Sequence, residues 1–150
     1  MDEKLRAKRE EVVREHFETE VAQEFDKTLE TFDHPHYEIM ANNQVFDGAE
    51  EVMQYYLATR TAFPDQRHEN VRFHFAEDVV IAEFDLLGTN KGEFYGLAPT
   101  GRSFRVPIVA LFFFKGEKII NERIYFDTIS LLSQIGQEKL LMDPELSSEI

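Results

Sequence analysis

The sequence contains no cysteine, which excludes disulfides, thiolate nucleophiles and cysteine-ligated zinc sites. It has no tryptophan, and no apolar run approaches the roughly 20 residues that a transmembrane helix needs. Its N-terminus, M-D-E-K-L-R-A-K-R-E-E, lacks the apolar stretch of a secretory signal. We therefore predict a cytoplasmic protein that tolerates a reducing environment.

Basic residues are scarce, with 16 Lys and Arg against 29 Asp and Glu, and the net charge is −13. Nucleic acids and anionic membranes are both bound through clustered cations, so we expect neither as a partner. Apolar residues, in contrast, make up 43% of the 150 residues and include 14 phenylalanines. A chain of this length and composition can bury the core of one domain. We assign residues 1–136 to that domain and 137–150 to its C-terminal tail.

The periodicity of the apolar residues changes from helical to alternating along the chain. Steps of three and four residues predict a helix from about Asp2 to Phe32, with a possible break near Thr19. The proline in Asp33-His34-Pro35 ends this helix, and a second helix covers 49–62. Alternation with a period of two predicts strands, which are short at 37–40 and 44–46 and long at 71–76, 79–89, 102–114 and from Lys118 onward.

This order of elements predicts an α+β fold. Helices and a short hairpin come first, and four long strands follow as an antiparallel meander, which is not the alternation typical of a parallel sheet. Such a sheet buries one face under the helices, and a strongly curved sheet leaves a cavity between them. Ligand pockets are commonly found at the mouth of such a cavity.

A row of polar side chains on the last strand predicts a functional site. Asn121, Arg123, Tyr125 and Asp127 alternate with Glu122 and its neighbours, so in a strand they share one face. Burying such groups costs several kcal/mol unless each finds a partner, which indicates that they line a pocket.

We interpret Asp127 as an acid/base group, because burial in an apolar pocket raises the pKa of a carboxyl towards neutrality. Arg123 and Tyr125 would orient polar atoms of the substrate. An alternative for Asp127, which does not exclude the first, is the N-cap of the short helix that begins at Thr128. Arg123 can instead pair with Glu83 or Asp85 on a neighbouring strand.

The predicted substrate is a small, largely apolar organic molecule. Aromatic side chains and one histidine are assigned to its binding surface: Tyr37, His36, Phe63, Phe84 and Phe112.

A second constellation is formed by His34, His36 and Glu38, which alternate in an extended segment. Two histidines and a carboxylate are the ligand set of mononuclear iron and zinc sites. The same spacing is common by chance, and Pro35 is explained by the end of a helix. We therefore expect no metal and no organic cofactor.

Three strings carry a resemblance to a known family. They are A-F-P-D at 62–65, G-T-N-K-G-E-F-Y-G-L-A-P-T-G-R at 88–102 and E-R-I-Y-F-D-T-I-S-L-L-S-Q-I-G at 122–136. Over roughly residues 8 to 136 the chain resembles the SnoaL-like polyketide cyclases of the nuclear transport factor two-like superfamily. The resemblance implies a cone-shaped, curved antiparallel sheet wrapped around the N-terminal helices, with a deep apolar pocket, and often a homodimer.

The resemblance also implies cofactor-free ring closure of a polyketide ester by an aldol reaction. Asp127 matches the position of the acid/base aspartate in these cyclases. On the preceding strand, where they carry a histidine, this chain reads Leu111-Phe112-Phe113-Phe114. We therefore predict a cofactor-free enzyme of the cyclase, isomerase or hydrolase type, and keep a non-catalytic ligand-binding or dimerisation module as the alternative.

Overall fold

A computed structural model describes residues 2–142 of the chain. The helices are α1 (Glu3–Val21), α2 (Phe25–Glu30), α3 (Ala49–Ala62), α4 (Thr128–Ile135) and α5 (Lys139–Met142). The strands are β1 (His36–Ile39), β2 (Gln44–Asp47), β3 (Arg67–Ala76), β4 (Val79–Thr89), β5 (Ser103–Lys115) and β6 (Lys118–Tyr125).

The six strands form one curved open sheet in the order β2-β1-β6-β5-β4-β3. The four long strands pair with their sequence neighbours in an antiparallel meander, as the sequence predicted. Next to this meander, β1 pairs in parallel with β6, and this pairing places Tyr37 beside Glu122. The predicted α+β class is confirmed, and this parallel pair joins the early part of the chain to its last strand.

The inner face of the sheet and the helices form one aromatic-rich core. Phe17 of α1 packs against Phe84 and Phe112, with ring centroids 5.1 and 5.5 Å apart. The inward side chains of β5 are all buried: Phe104, Val106, Ile108, Ala110, Phe112 and Phe114. The period of two seen in the sequence therefore separates a core face from an outer face.

The N-terminal helix predicted to reach Phe32 is two helices. The break lies after Val21, slightly later than the predicted position near Thr19. Gln23 adopts a left-handed backbone with φ of 59°, which an α-helix cannot continue through. Its side-chain amide donates to the Pro64 carbonyl at 3.0 Å, so the turn is attached to the end of α3.

The C-terminal tail packs against the domain as far as it is described. Leu140 in α5 is fully buried, and Gln137 donates to Asn90 Oδ1 at 3.1 Å. The rest of the predicted tail, 143–150, lies outside the described residues. Within 2–142, no helix is both long enough and apolar enough to cross a membrane, and the cytoplasmic location stays a prediction.

Gly92 is expected to tolerate no side chain. Its amide donates to the Ala62 carbonyl at 3.3 Å, and a Cβ atom added there would lie 1.9 Å from the Thr61 carbonyl oxygen. Gly92→Ala should therefore lower the free energy of unfolding by about 3 kcal/mol, measured by urea denaturation. Gly96→Ala is the control, because nothing lies near a Cβ atom added at Gly96. The only cost there is the left-handed backbone conformation, which an alanine adopts at a cost of about 1–2 kcal/mol. Equal losses for both variants would contradict the close contact.

Candidate active site

A cavity lies between the helices and the inner face of the sheet. Its water-accessible volume is about 110 Å³. This space exceeds that of one water several-fold. Most of its wall is aromatic or aliphatic: Phe17, Tyr37, Ile39, Tyr55, Phe63, Phe84, Leu86, Phe94, Tyr95, Phe104, Ile108, Ile124, Phe126, Leu131 and Leu132. Five ionisable or phenolic side chains in the wall form a connected cluster: Glu20, Tyr37, Arg60, His68 and Glu122.

Glu20 of α1 is a buried carboxylate surrounded by donors. Its oxygens lie 3.1 Å from Arg60 Nη2, 3.1 Å from the Tyr37 hydroxyl, which donates, and 3.6 Å from His68 Nε2. Burial acts to raise the pKa of Glu20, but Arg60, then His16 and His68, outweigh it and hold that pKa below its usual value. Glu20 therefore contributes a fixed negative charge to the cavity wall.

Glu122 of β6 is a buried carboxyl with the opposite tendency. It is 3% exposed, and its Oε1 lies 2.9 Å from Nε2 of His16, which does not itself line the cavity. Burial raises the pKa of Glu122, and Glu20 adds to the increase, while His16 opposes it; the net result is an elevated pKa. A carboxyl with an elevated pKa in an apolar site is suited to proton transfer near neutral pH.

The Tyr37 hydroxyl connects the two carboxyl groups. It lies 3.2 Å from His16 Nε2, donates to Glu20 and accepts from the Tyr56 hydroxyl at 3.3 Å. Burial raises the pKa of both tyrosines well above the ordinary value, so both stay neutral. For His16, burial lowers the pKa, but the contact with Glu122 outweighs it and the pKa is raised. The cluster therefore forms one continuous network.

The predicted polar row of β6 faces away from the cavity. Glu122 and Ile124 point inward, and Arg123 and Tyr125 lie on the outer face. β6 pairs with β1 on one side and with β5 on the other, and both pairings place Glu122 beside a buried residue, Tyr37 in β1 and Phe112 in β5. The prediction that Arg123 and Tyr125 point into the cavity, on which their predicted roles depended, is therefore wrong.

The outer-face residues have partners of their own. Arg123 Nε donates to Glu38 Oε1 at 3.1 Å, and Asn121 also donates to Glu38. The predicted alternative partners of Arg123, Glu83 and Asp85, contact other arginines.

Asp127 is exposed and forms the N-cap of α4, where its carboxylate accepts from the Ser130 amide at 3.3 Å. The helix-cap alternative is confirmed, whereas the acid/base role required a place in the cavity. We expect Asp127→Ala to lower the free energy of unfolding by about 1 kcal/mol and Asp127→Asn by much less, because Asn also caps helices. A large loss of catalysis in Asp127→Asn, at unchanged stability, would restore the original assignment.

The five predicted substrate-binding residues divide into two groups. Tyr37, Phe63 and Phe84 line the cavity. Phe112 is fully buried behind Phe17 and does not reach it. His36 lies on the sheet's other face. Phe112 and His36 are therefore incorrect as cavity residues.

The His34, His36 and Glu38 side chains do not converge. Both histidines contact Asp47 Oδ1, at 2.9 and 3.0 Å, while Glu38 contacts Asn121 and Arg123. Across residues 2–142, no group of three or more His, Asp or Glu side chains is arranged to hold a metal ion. The metal alternative therefore finds no support in the geometry.

Sequence reasoning missed Glu20, Arg60, His68 and Glu122 as site residues. One signal was present: His16 and Glu20 lie one helical turn apart within the apolar stripe of α1. A second was Glu122, which alternates with Ile124 and Phe126 on an otherwise apolar face.

Comparisons with known proteins agree with this architecture. The structure is similar to a putative SnoaL-like polyketide cyclase from Jannaschia sp. CCS1, with 24% identity, a TM-score of 0.76 and coverage of 86% of this chain and 92% of that one. It is similar to IdmH, a putative polyketide cyclase from Streptomyces antibioticus, at 20% identity, a TM-score of 0.72 and coverage of 85% and 98%.

A protein with a ketosteroid isomerase-like fold from Catenulispora acidiphila, in complex with trimethylamine, matches at 21% identity, a TM-score of 0.73 and coverage of 84% and 92%. A search of curated proteins found no match. The family model described as SnoaL-like polyketide cyclase matches residues 11–135. The chain therefore belongs to the SnoaL-like polyketide cyclase family.

Proposed function

We propose that the protein is a cofactor-free acid/base enzyme that acts on a small, largely apolar carbonyl compound, such as a polyketide-like ester. The observation that carries this proposal is Glu122, a buried carboxyl with a raised pKa in the wall of an aromatic cavity. Membership of the cyclase family and the similarity to a ketosteroid isomerase-like fold support the same reaction class.

In the proposed reaction, the Glu122 carboxylate removes a proton from the carbon next to the substrate carbonyl. The electron pair of the broken C–H bond forms an enolate, and Glu122 becomes a carboxylic acid. In an isomerase, Glu122 returns the proton at another carbon. In a cyclase, the enolate carbon attacks a second carbonyl of the same molecule, and the new alkoxide takes the proton. The aromatic wall holds the rings and excludes water.

Deuterium exchange tests the proton-removal step without knowledge of the natural substrate. The probe is 2-tetralone, a neutral bicyclic ketone, incubated in D2O and followed by proton NMR. We expect the protein to accelerate exchange next to the carbonyl by about 100-fold or more over buffer. Exchange at the buffer rate, with binding of 2-tetralone confirmed, would contradict the proposal.

One observation favours the alternative of a non-catalytic binding module. Both buried carboxyls already have close partners, Arg60 for Glu20 and His16 for Glu122, so both can be purely structural. A binding module would bind 2-tetralone with an affinity that does not follow the ionisation of Glu122, and it would not exchange the protons.

We also propose that the protein is a homodimer through the outer face of the sheet. Val109 and Tyr125 are paired in register there and are 38% and 44% exposed. Light scattering should show twice the chain mass of 17.6 kDa for the wild type and the single mass for Val109→Glu. A monomeric wild type would contradict this arrangement.

A further inference from the structure

Three buried polar atoms in the cavity wall have no hydrogen-bond partner within residues 2–142. One is Glu122 Oε1, which still lies 2.9 Å from His16 Nε2, and the other two are Arg60 Nε and His68 Nδ1. Both side chains line the cavity and are more than nine-tenths buried, at 5% and 7% exposure. A buried polar group without a partner costs free energy, so a ligand that satisfies it is favoured.

The unpaired atom of Arg60 is a donor. Its other guanidinium nitrogens are engaged, with Nη2 at 3.1 Å from Glu20 Oε2 and Nη1 donating to Thr59 Oγ1 at 2.8 Å. The Nε–H group is left to donate to an oxygen of a ligand in the cavity.

The unpaired atom of His68 is an acceptor. Burial between aromatic rings lowers the pKa of His68 to about 4, so the imidazole is neutral. Its Nε2 faces the Glu20 carboxylate at 3.6 Å, which favours the tautomer with the proton on Nε2. Nδ1 then carries a lone pair.

The charges in the wall select against charged ligands. The Glu20 carboxylate is balanced by Arg60, and Glu122 lies against His16. A ligand carboxylate would lie near two acidic groups, and an ammonium group would lie near the guanidinium.

We propose that Arg60 and His68 bind the hydroxyl of a neutral ring compound, a phenol or an enol, by donating to it and accepting from it. The proposal rests on the proposed function and deepens it by naming the ligand class of the same cavity, because an enol is the neutral form that arises when the enolate left by Glu122 takes the proton back on its oxygen. Ketones satisfy only the Arg60 donor, so the enolic form is preferred over the keto form.

Three naphthalene compounds of similar shape test this preference by isothermal titration calorimetry. They are 2-naphthol, 2-methoxynaphthalene, which cannot donate, and 2-naphthoate, which is anionic. We expect the wild type to bind 2-naphthol about tenfold or more tightly than either of the others. Equal affinities, or no detectable binding of 2-naphthol, would overturn the proposal.

Variants assign the preference to the two side chains. His68→Phe removes the acceptor and keeps a ring, and Arg60→Lys keeps the charge beside Glu20 but removes Nε; each should reduce the preference to about threefold or less. His74→Phe and Arg72→Lys are the matched controls, since both residues are exposed on the same strand and contact Glu83. Both controls should keep the full preference for 2-naphthol. If His68→Phe also keeps it, the proposed role of His68 is overturned.

The outcome is separable from that of the deuterium exchange experiment. A wild type that prefers 2-naphthol but leaves 2-tetralone unexchanged supports the hydroxyl site and contradicts the acid/base enzyme. A wild type that exchanges 2-tetralone but shows no preference for 2-naphthol supports the enzyme and overturns the hydroxyl site.

Discussion

Glu122→Gln is expected to reduce deuterium exchange into 2-tetralone by about 10²- to 10⁴-fold, the usual contribution of a general acid or base. The amide has nearly the same shape as the carboxyl and cannot accept a proton from carbon. Glu83→Gln is the matched control, because Glu83 lies on the outer face of β4, away from the cavity, and should leave the rate unchanged. A Glu122→Gln variant that stays folded and keeps the wild-type rate would remove Glu122 from the mechanism.

The pH dependence of the exchange rate identifies the same group. In the proposed mechanism Glu122 is a base in its carboxylate form, so the rate should fall as the pH decreases through the pKa of Glu122 in the folded protein. Burial raises that pKa above the value of 4.5 for an ordinary glutamate. The midpoint of the loss should therefore lie above that of a free glutamate, and it should be absent from the residual rate of Glu122→Gln.

Arg60→Met should lower the free energy of unfolding by about 3–5 kcal/mol at neutral pH, measured by urea denaturation. The substitution leaves the Glu20 carboxylate buried without its principal cation, whereas the methionine side chain fills a similar space. The double variant Arg60→Met/Glu20→Gln should recover a large part of this loss, since no charge is then left unpaired. Arg72→Met, which breaks an exposed pair with Glu83, should cost about 0–1 kcal/mol.

The contribution of Glu20 to the free energy of unfolding of the wild type should decrease only towards acidic pH. The pKa of Glu20 is lower in the folded protein than in the unfolded chain, chiefly through Arg60, which overcomes the effect of burial. Its contribution is therefore fully present above the unfolded pKa and is lost as the pH falls through the folded pKa. Arg60→Met removes the largest of the contacts that lower this pKa, so the penalty of the substitution should shrink in acid as Glu20 becomes protonated. A penalty independent of both pH and Glu20→Gln would show that packing, not charge, explains the loss.

The fold could be predicted from the sequence because its main signals are local. The bounds of α3 and β4 follow from the periodicity of their own residues and from the turn residues directly before them, Gly48 and Asp78. The break in α1 was expected near Thr19, but it is set by the left-handed Gln23 and its contact with Pro64, which lies far along the chain.

The site could not be predicted in the same way, because its geometry depends on contacts between distant segments. On β6 both alternating faces contain polar residues, and it is the pairing with β1 and β5 that places Glu122 inside and Arg123 outside. The partners of Glu20 likewise come from α3 and β3, and no short motif joins them. Asp127 was a strong local signal, but it described a helix cap.

The parallel contact of β1 with β6 has a consequence for the newly made chain. His16 leaves the ribosome early, and its acidic partner Glu122 leaves it near the end of synthesis. Until then the buried face of α1 carries an imidazole whose counterpart has not been made, and the sheet lacks the strand that holds β1. Chains truncated before β6 would expose an aromatic core with an incomplete polar lining, and such surfaces promote aggregation, so the same late strand completes the cavity and covers the core.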